Sequence, residues 1–107
     1  MQTINRRALN ERLANDDVTL VDVSGAECYR ESHLPGAISV PLDGDFEQQI
    51  EKVVPDRNKT VVVYCRENSC EVSLKAARQM DELGYQRVWD YQGGKLDWMQ
   101  AGLPVER

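Results

Sequence analysis

The sharpest chemistry in this sequence lies between residues 60 and 77, TVVVYCRENSCEVSLKAA. Cys65 closes a run of β-branched residues and opens the loop CRENSCE, and a helical pattern starts at Val72. A cysteine so placed can act as a sulfur nucleophile. A loop entering a helix leaves backbone N–H donors unpaired, and if the loop curls they form a nest for an anion. The same donors, with the helix dipole, favour a thiolate. The pattern therefore predicts a Cys65 pKa below the free value of roughly 8.5. The donors would come from Arg66, Glu67, Asn68, Ser69, Cys70, Glu71 and Val72. The competing reading of Cys65 is a small buried hydrophobe.

The residues around the loop narrow the anion. If the anion were a phosphate, the loop would resemble that of cysteine phosphatases, in which an arginine six residues after the cysteine clamps the phosphoryl oxygens; that position is Glu71. Arg66 supplies one positive charge, offset by Glu67 and Glu71. The loop suits a persulfide better, since it carries less charge and needs mainly N–H donors. His33 is the only histidine, and a Cys–His pair is one reading of it. Asp22 sits at a strand end, where it orders backbone or moves a proton. Arg66 greets an anion or points into water, and Asn68 or Ser69 can cap the helix. Cys28, Cys65 and Cys70 have no zinc-ligand spacing, so neither a metal nor a cofactor is expected.

The elements that must position these residues read as an alternation. Helices are predicted over 3–15 (with Thr3 as N-cap), 26–32, 45–54, 72–83 and 95–101. Strands are predicted over 18–23, 37–40, 60–64 and 87–91, the 60–64 strand being central because it is the most apolar. Val72, Ala76, Ala77, Met80 and Leu83 share one helical face, with Gly84 at C′. Lys75, Arg78, Asp81 and Glu82 make the solvated face. Trp89, Tyr91 and Trp98 read as packing residues. Alternating strands and helices imply an α/β fold, a mostly parallel sheet with helices on both faces. Ligands of such sheets sit at the carboxyl ends of strands, where Cys65 falls.

The 107 residues fit one domain, 1–107. The net charge of −5 argues against a nucleic-acid partner, which needs a basic footprint. No apolar run approaches a membrane span, and MQTINRRALNERLAND lacks the apolar core of a signal peptide. A cytoplasmic location is the expectation.

These residues, in this order, resemble a single-domain rhodanese over nearly the whole chain. The pieces are Asp22-Val23, the segment from Tyr29 through His33-Leu34-Pro35-Gly36-Ala37-Ile38, and Val62-Val63-Tyr64-Cys65-Arg66. Gly84-Tyr85, Gly93-Gly94 with Trp98, and Ala101-Gly102-Leu103-Pro104-Val105 complete the pattern. The resemblance implies a three-layer domain with about five strands and a double-displacement sulfurtransferase. Cys65 would take sulfane sulfur from thiosulfate, polysulfide or a persulfide and pass it to a thiol or cyanide. It marks His33 as structural. Cys70 could attack a Cys65 persulfide, closing a disulfide and releasing sulfide, or shield Cys65 from over-oxidation; packing at a helix start is the alternative.

The sequence also departs from the family. Asn68 holds a usual glycine place, Cys70 and Glu71 replace an Arg-Ser or Ser-Ser pair, and Ala76-Ala77 lie two residues further on. Ser24 and Cys28 stand where arginine and glutamate are frequent. The loop thus resembles a longer variant with a C-x4-C-x2-S pattern, Cys65, Cys70 and Ser73. Other readings of the same residues are a non-catalytic sulfur or redox sensor, or interaction module, using Cys65 and Cys70. An arsenate reductase or cysteine phosphatase on the same fold is a further one.

Overall fold

The structure, a computed structural model, describes residues 2–15, 18–67 and 70–107. One sheet of five parallel strands organises them, in the order β1-β5-β4-β2-β3. The strands are β1 (Gln2–Thr3), β2 (Thr19–Asp22), β3 (Ile38–Ser39), β4 (Thr60–Tyr64) and β5 (Arg87–Tyr91). Between and after them run α1 (Arg6–Ala14), α2 (Ala26–Glu31), α3 (Phe46–Val53), α4 (Val72–Glu82) and α5 (Gly94–Gln100). The predicted alternation is present, and β4 is the middle strand. Its valines and Tyr64 are fully buried, as a strand covered on both faces requires.

Side-chain alternation along β4 divides the core in two. Val61, Val63 and Cys65 face Phe46 and Ile50 of α3 and Ala76, Ala77 and Met80 of α4. Val62 and Tyr64 face Leu9 of α1 and Trp98 of α5. Helix α4 ends as the sequence predicts. Gly84, at φ +93°, donates to the Asp81 carbonyl, and Tyr85 N–H reaches back to the Met80 carbonyl, a Schellman closure. The four charged residues of its predicted solvated face are exposed.

The N-terminus needs correction. Thr3 does not cap a helix; it lies in β1, in register with Asp90. The cap is Asn5, whose side chain accepts the Ala8 N–H at 2.8 Å. Pairing to β5 is a long-range gain that a two-residue strand cannot announce locally. Among the described residues, no helix is long and apolar enough to cross a membrane.

Candidate active site

Cys65 follows β4 directly and is 1 % exposed. Its thiol donates toward the carbonyl oxygens of Cys70 (3.4 Å) and Glu67 (3.8 Å), and the Ser73 hydroxyl lies 3.7 Å from the sulfur. The Cys70 N–H is not aimed at the sulfur; it donates to the Glu67 carbonyl at 3.0 Å. Among the described residues, the loop thus turns two carbonyl oxygens, those of Glu67 and Cys70, toward the thiol.

The expected fall in thiol pKa is corrected accordingly. Burial pushes Cys65 up to about 11, and the Cys70 side chain adds to the rise. The backbone N–H and hydroxyl of Ser73 oppose it. The physical reason is that a buried neutral S–H is satisfied by carbonyls, whereas a thiolate there would lose water and gain, among the described residues, only the donors of Ser73.

The loop is held from the far side by α5. Lys95 N–H donates to the Cys65 carbonyl at 3.0 Å, and Leu96 N–H to the Arg66 carbonyl at 2.8 Å. Free donors of a first helical turn are thus spent on the backbone around Cys65. Gly94 makes the approach possible: a Cβ there would lie 2.6 Å from the Cys65 carbonyl oxygen and 2.9 Å from the Glu67 nitrogen, at a φ of +70°. The Gly93-Gly94 turn read from the sequence is this contact.

The remaining loop residues divide by exposure. Arg66 and Glu71 are exposed, while Glu67, Cys70 and Val72 are half-buried. Cys70 and Val72 pack against the α3/α4 side of the core. Glu71 occupies the N-cap position of α4 without a side-chain capping bond. The donor and capping roles assigned to Asn68 and Ser69 fall outside the described residues.

Asp22 and His33 sit on the opposite sheet face from the Cys65 sulfur. Asp22 pairs in register with Tyr64, and its Oδ1 accepts both the N–H and hydroxyl of Ser24. His33 stacks on the Tyr29 ring at 3.8 Å, with Nδ1 2.9 Å from the Tyr29 carbonyl oxygen. Its backbone pairs with Glu106. No Cys–His pair forms among the described residues.

Two charged residues were not singled out by sequence reasoning. Lys95 is only 6 % exposed. Its ammonium donates to the carbonyls of Cys28 (2.9 Å) and Ser32 (3.0 Å) and contacts Cys28 Sγ at 3.1 Å. Asp90 is 1 % exposed, and neither carboxyl oxygen has a hydrogen-bond partner among the described residues. In the sequence, Asp90 was visible as the acidic residue inside RVWDY, on the parity of buried Val88. An open groove of about 830 Å³, walled by Ile4, Arg6, Tyr91, Gly93 and Asp97, reaches the loop at Glu67; Cys65 is not in its wall.

A parallel α/β sheet with a cysteine at the carboxyl end of its central strand, held between a loop and two helices, defines a cysteine-bearing domain of the rhodanese type. Residues 5–101 match the family model of the rhodanese-like domain, and the chain belongs to that family. It is 39% identical over 77 residues to the thiosulfate sulfurtransferase PspE of Escherichia coli, covering 72% of this chain and 70% of that one. It is 31% identical over 103 residues to a sulfurtransferase of Allochromatium vinosum, covering 95% and 92%. It is also 36% identical over 103 residues to the HTH-type transcriptional regulator Rv0324 of Mycobacterium tuberculosis; that match takes in 96% of this chain and 44% of the regulator, under half its length. Among solved structures, the BH2092 protein of Bacillus halodurans superposes with a TM-score of 0.85 at 28% identity, over 98% of this chain and 76% of that one.

Proposed function

We propose that this protein is a sulfurtransferase in which Cys65 carries sulfane sulfur from thiosulfate, polysulfide or a persulfide to a thiol or cyanide. The observation that carries the reading is the position of Cys65, at the carboxyl end of the central strand inside a loop gripped by α5. Its relatives named as sulfurtransferases support it.

In the first step the Cys65 thiolate attacks the outer sulfur of the donor. The new Sγ–S bond forms as the donor's S–S bond breaks, and sulfite leaves with the electron pair when thiosulfate is the donor. In the second step the acceptor attacks the outer sulfur of the persulfide and returns Cys65 as thiolate. Cys65 is 1 % exposed, so the sulfur has to be uncovered before a donor reaches it. The backbone N–H of Ser73 already favours the anion. The loop lacks the arginine a phosphoryl group would require, so it suits a sulfur anion over a phosphomonoester.

A second reading, a redox or sulfur sensor, is favoured by one observation: a second cysteine, Cys70, lies beside Cys65, its carbonyl oxygen 3.4 Å from the Cys65 sulfur. Intact mass after incubation with thiosulfate, or separately with polysulfide, separates the two. Transfer requires a gain of one sulfur that cyanide removes and Cys65→Ser abolishes. Loss of two hydrogens instead, with no sulfur gained from either donor, would favour the sensor.

A further inference from the structure

A buried carboxyl without partners is costly and calls for an explanation. Asp90 lies on β5 in register with Val63 of β4. Val88, two residues earlier, faces the α3/α4 side, so Asp90 faces it too. Cys65, two residues after Val63, faces the same side. Asp90 thus sits beneath the loop, on the same sheet face as the sulfur. Between them stands Ser73, a buried residue in the first turn of α4. Its Oγ is 3.7 Å from Cys65 Sγ. Burial holds the Asp90 carboxyl above its usual range, and the Ser73 hydroxyl is near enough to pull it partly back. No hydrogen bond joins the two at rest, so the exchange requires the Ser73 hydroxyl and the Asp90 carboxyl to close to hydrogen-bond distance during turnover.

Building on the reading of Cys65 as the sulfur-accepting nucleophile, we propose that Asp90 is a positioning residue for this reaction, taking up the Cys65 thiol proton through the Ser73 hydroxyl. As Sγ attacks the sulfane sulfur, the Sγ–H bond breaks and its proton passes to Ser73 Oγ. The Ser73 O–H proton passes to the Asp90 carboxylate in the same motion. A hydroxyl both donates and accepts, so it can carry this exchange without changing charge. The donor's S–S electron pair leaves with sulfite or a thiolate, and no oxidant or reductant is consumed. When the acceptor releases the Cys65 thiolate, the proton returns by the same route. A carboxyl held above its usual range is a better match for a thiol than an ordinary aspartate.

The groups that face Asp90 are few. Cys65 comes from the end of β4, Cys70 from the loop and Ser73, Ala76 and Ala77 from α4; the charged side chains of α4 are exposed. On the other edge β1 supplies Thr3, and the Ile4 N–H binds the Asp90 backbone carbonyl at 3.1 Å. Among the described residues, no cation pairs with the Asp90 carboxyl.

The test is the rate of Cys65 alkylation by iodoacetamide from pH 5 to 11, read by peptide mass, for wild type, Asp90→Asn and Ser73→Ala. Sulfur uptake from thiosulfate and from polysulfide is followed in parallel. Wild type is expected to show a plateau near neutrality, where carboxylate and thiol share one proton. In both variants the rate should climb about tenfold per pH unit toward the thiol pKa, about a hundredfold below wild type at pH 7 and level with it near pH 11. A deficit that is the same at every pH would overturn the relay and leave a structural role. So would faster alkylation at pH 7 in Asp90→Asn, which would mean that the carboxylate only repels a thiolate. Ser73→Ala, which lacks the hydroxyl but keeps the carboxyl, tests the route even if Asp90→Asn fails to fold. If wild type has the plateau yet takes sulfur from neither donor, the relay stands and the sulfurtransferase reading fails.

Discussion

The backbone N–H of Lys95 donates to the carbonyl oxygen of Cys65 at 3.0 Å, so the first turn of α5 hangs from the residue that bears the proposed nucleophile. The two can approach only because residue 94 has no side chain. Gly94→Ala would set a Cβ 2.6 Å from that carbonyl oxygen in a left-handed backbone conformation. Either the loop or α5 must move. The substitution should cost about 2 kcal/mol and displace Cys65 enough to depress sulfur uptake at least tenfold. Urea unfolding and mass-detected persulfidation measure the two effects. An unchanged midpoint with full uptake would mean that the contact is not required.

Cys70 offers Cys65 both its carbonyl oxygen, 3.4 Å from the sulfur, and a side chain that raises the thiol pKa. Removing that thiol should therefore bring the Cys65 pKa down from about 11. Cys70→Ser is expected to alkylate faster at Cys65 below pH 10 and to hold its persulfide longer, since no resolving thiol remains. Sulfide release after loading with polysulfide follows the second effect. Equal release from wild type and variant would assign Cys70 to packing.

How much of this was legible in the sequence depends on range. The alternation of strands and helices, the central place of Thr60–Tyr64 and the Schellman end of α4 are local signals, and they were readable from periodicity and from Gly84. Cys65 was readable because a cysteine breaks a valine run at a strand end. β1 was not, since two residues carry no period and owe their pairing to β5, more than eighty positions away. Nor was the direction of the Cys65 pKa, which depends on whether the loop turns carbonyls or N–H groups inward. Gly94 was read as a turn, while its deeper role, clearance for the Cys65 backbone, needs the tertiary contact. Lys95 was not singled out, because its partners, the carbonyls of Cys28 and Ser32, lie more than sixty positions away.

Asp90 also predicts a pH dependence of stability. Burial raises its pKa in the folded state, so the folded protein binds more protons than the unfolded chain between the ordinary aspartate value and the raised one. Stability contributed by the protonated group is full below the unfolded pKa and is lost as pH rises through the folded one. At neutral pH the buried carboxylate is a net cost. Asp90→Asn should raise Tm at pH 7, on the order of 5 °C, and the gain should shrink as pH falls through the raised Asp90 pKa and be gone by about pH 4. Calorimetric scans across that range measure it. A variant less stable than wild type at pH 7 would mean that the carboxylate has a stabilising partner.

Lys95 is a cation enclosed by acceptors. Its ammonium closes the C-terminal end of α2 through the carbonyls of Cys28 and Ser32 and meets Cys28 Sγ at 3.1 Å. Lys95→Met keeps the length of the stem and removes the charge, leaving the two carbonyls without that donor. Desolvation of the ammonium offsets part of what those bonds contribute, but the Ser32 carbonyl loses its donor and the Cys28 carbonyl keeps only the Ser32 N–H at 3.4 Å, which carries its own penalty. The net loss should be about 2 kcal/mol, a fall in Tm on the order of 10 °C. Lys95→Arg should not restore it, because a planar guanidinium cannot present three donors around one point. Because α2 leads into Ser32 and His33, protease cleavage near Tyr29–His33 should quicken in the variant. Unchanged Tm and proteolysis in Lys95→Met would show that solvent satisfies these carbonyls as well as the lysine does.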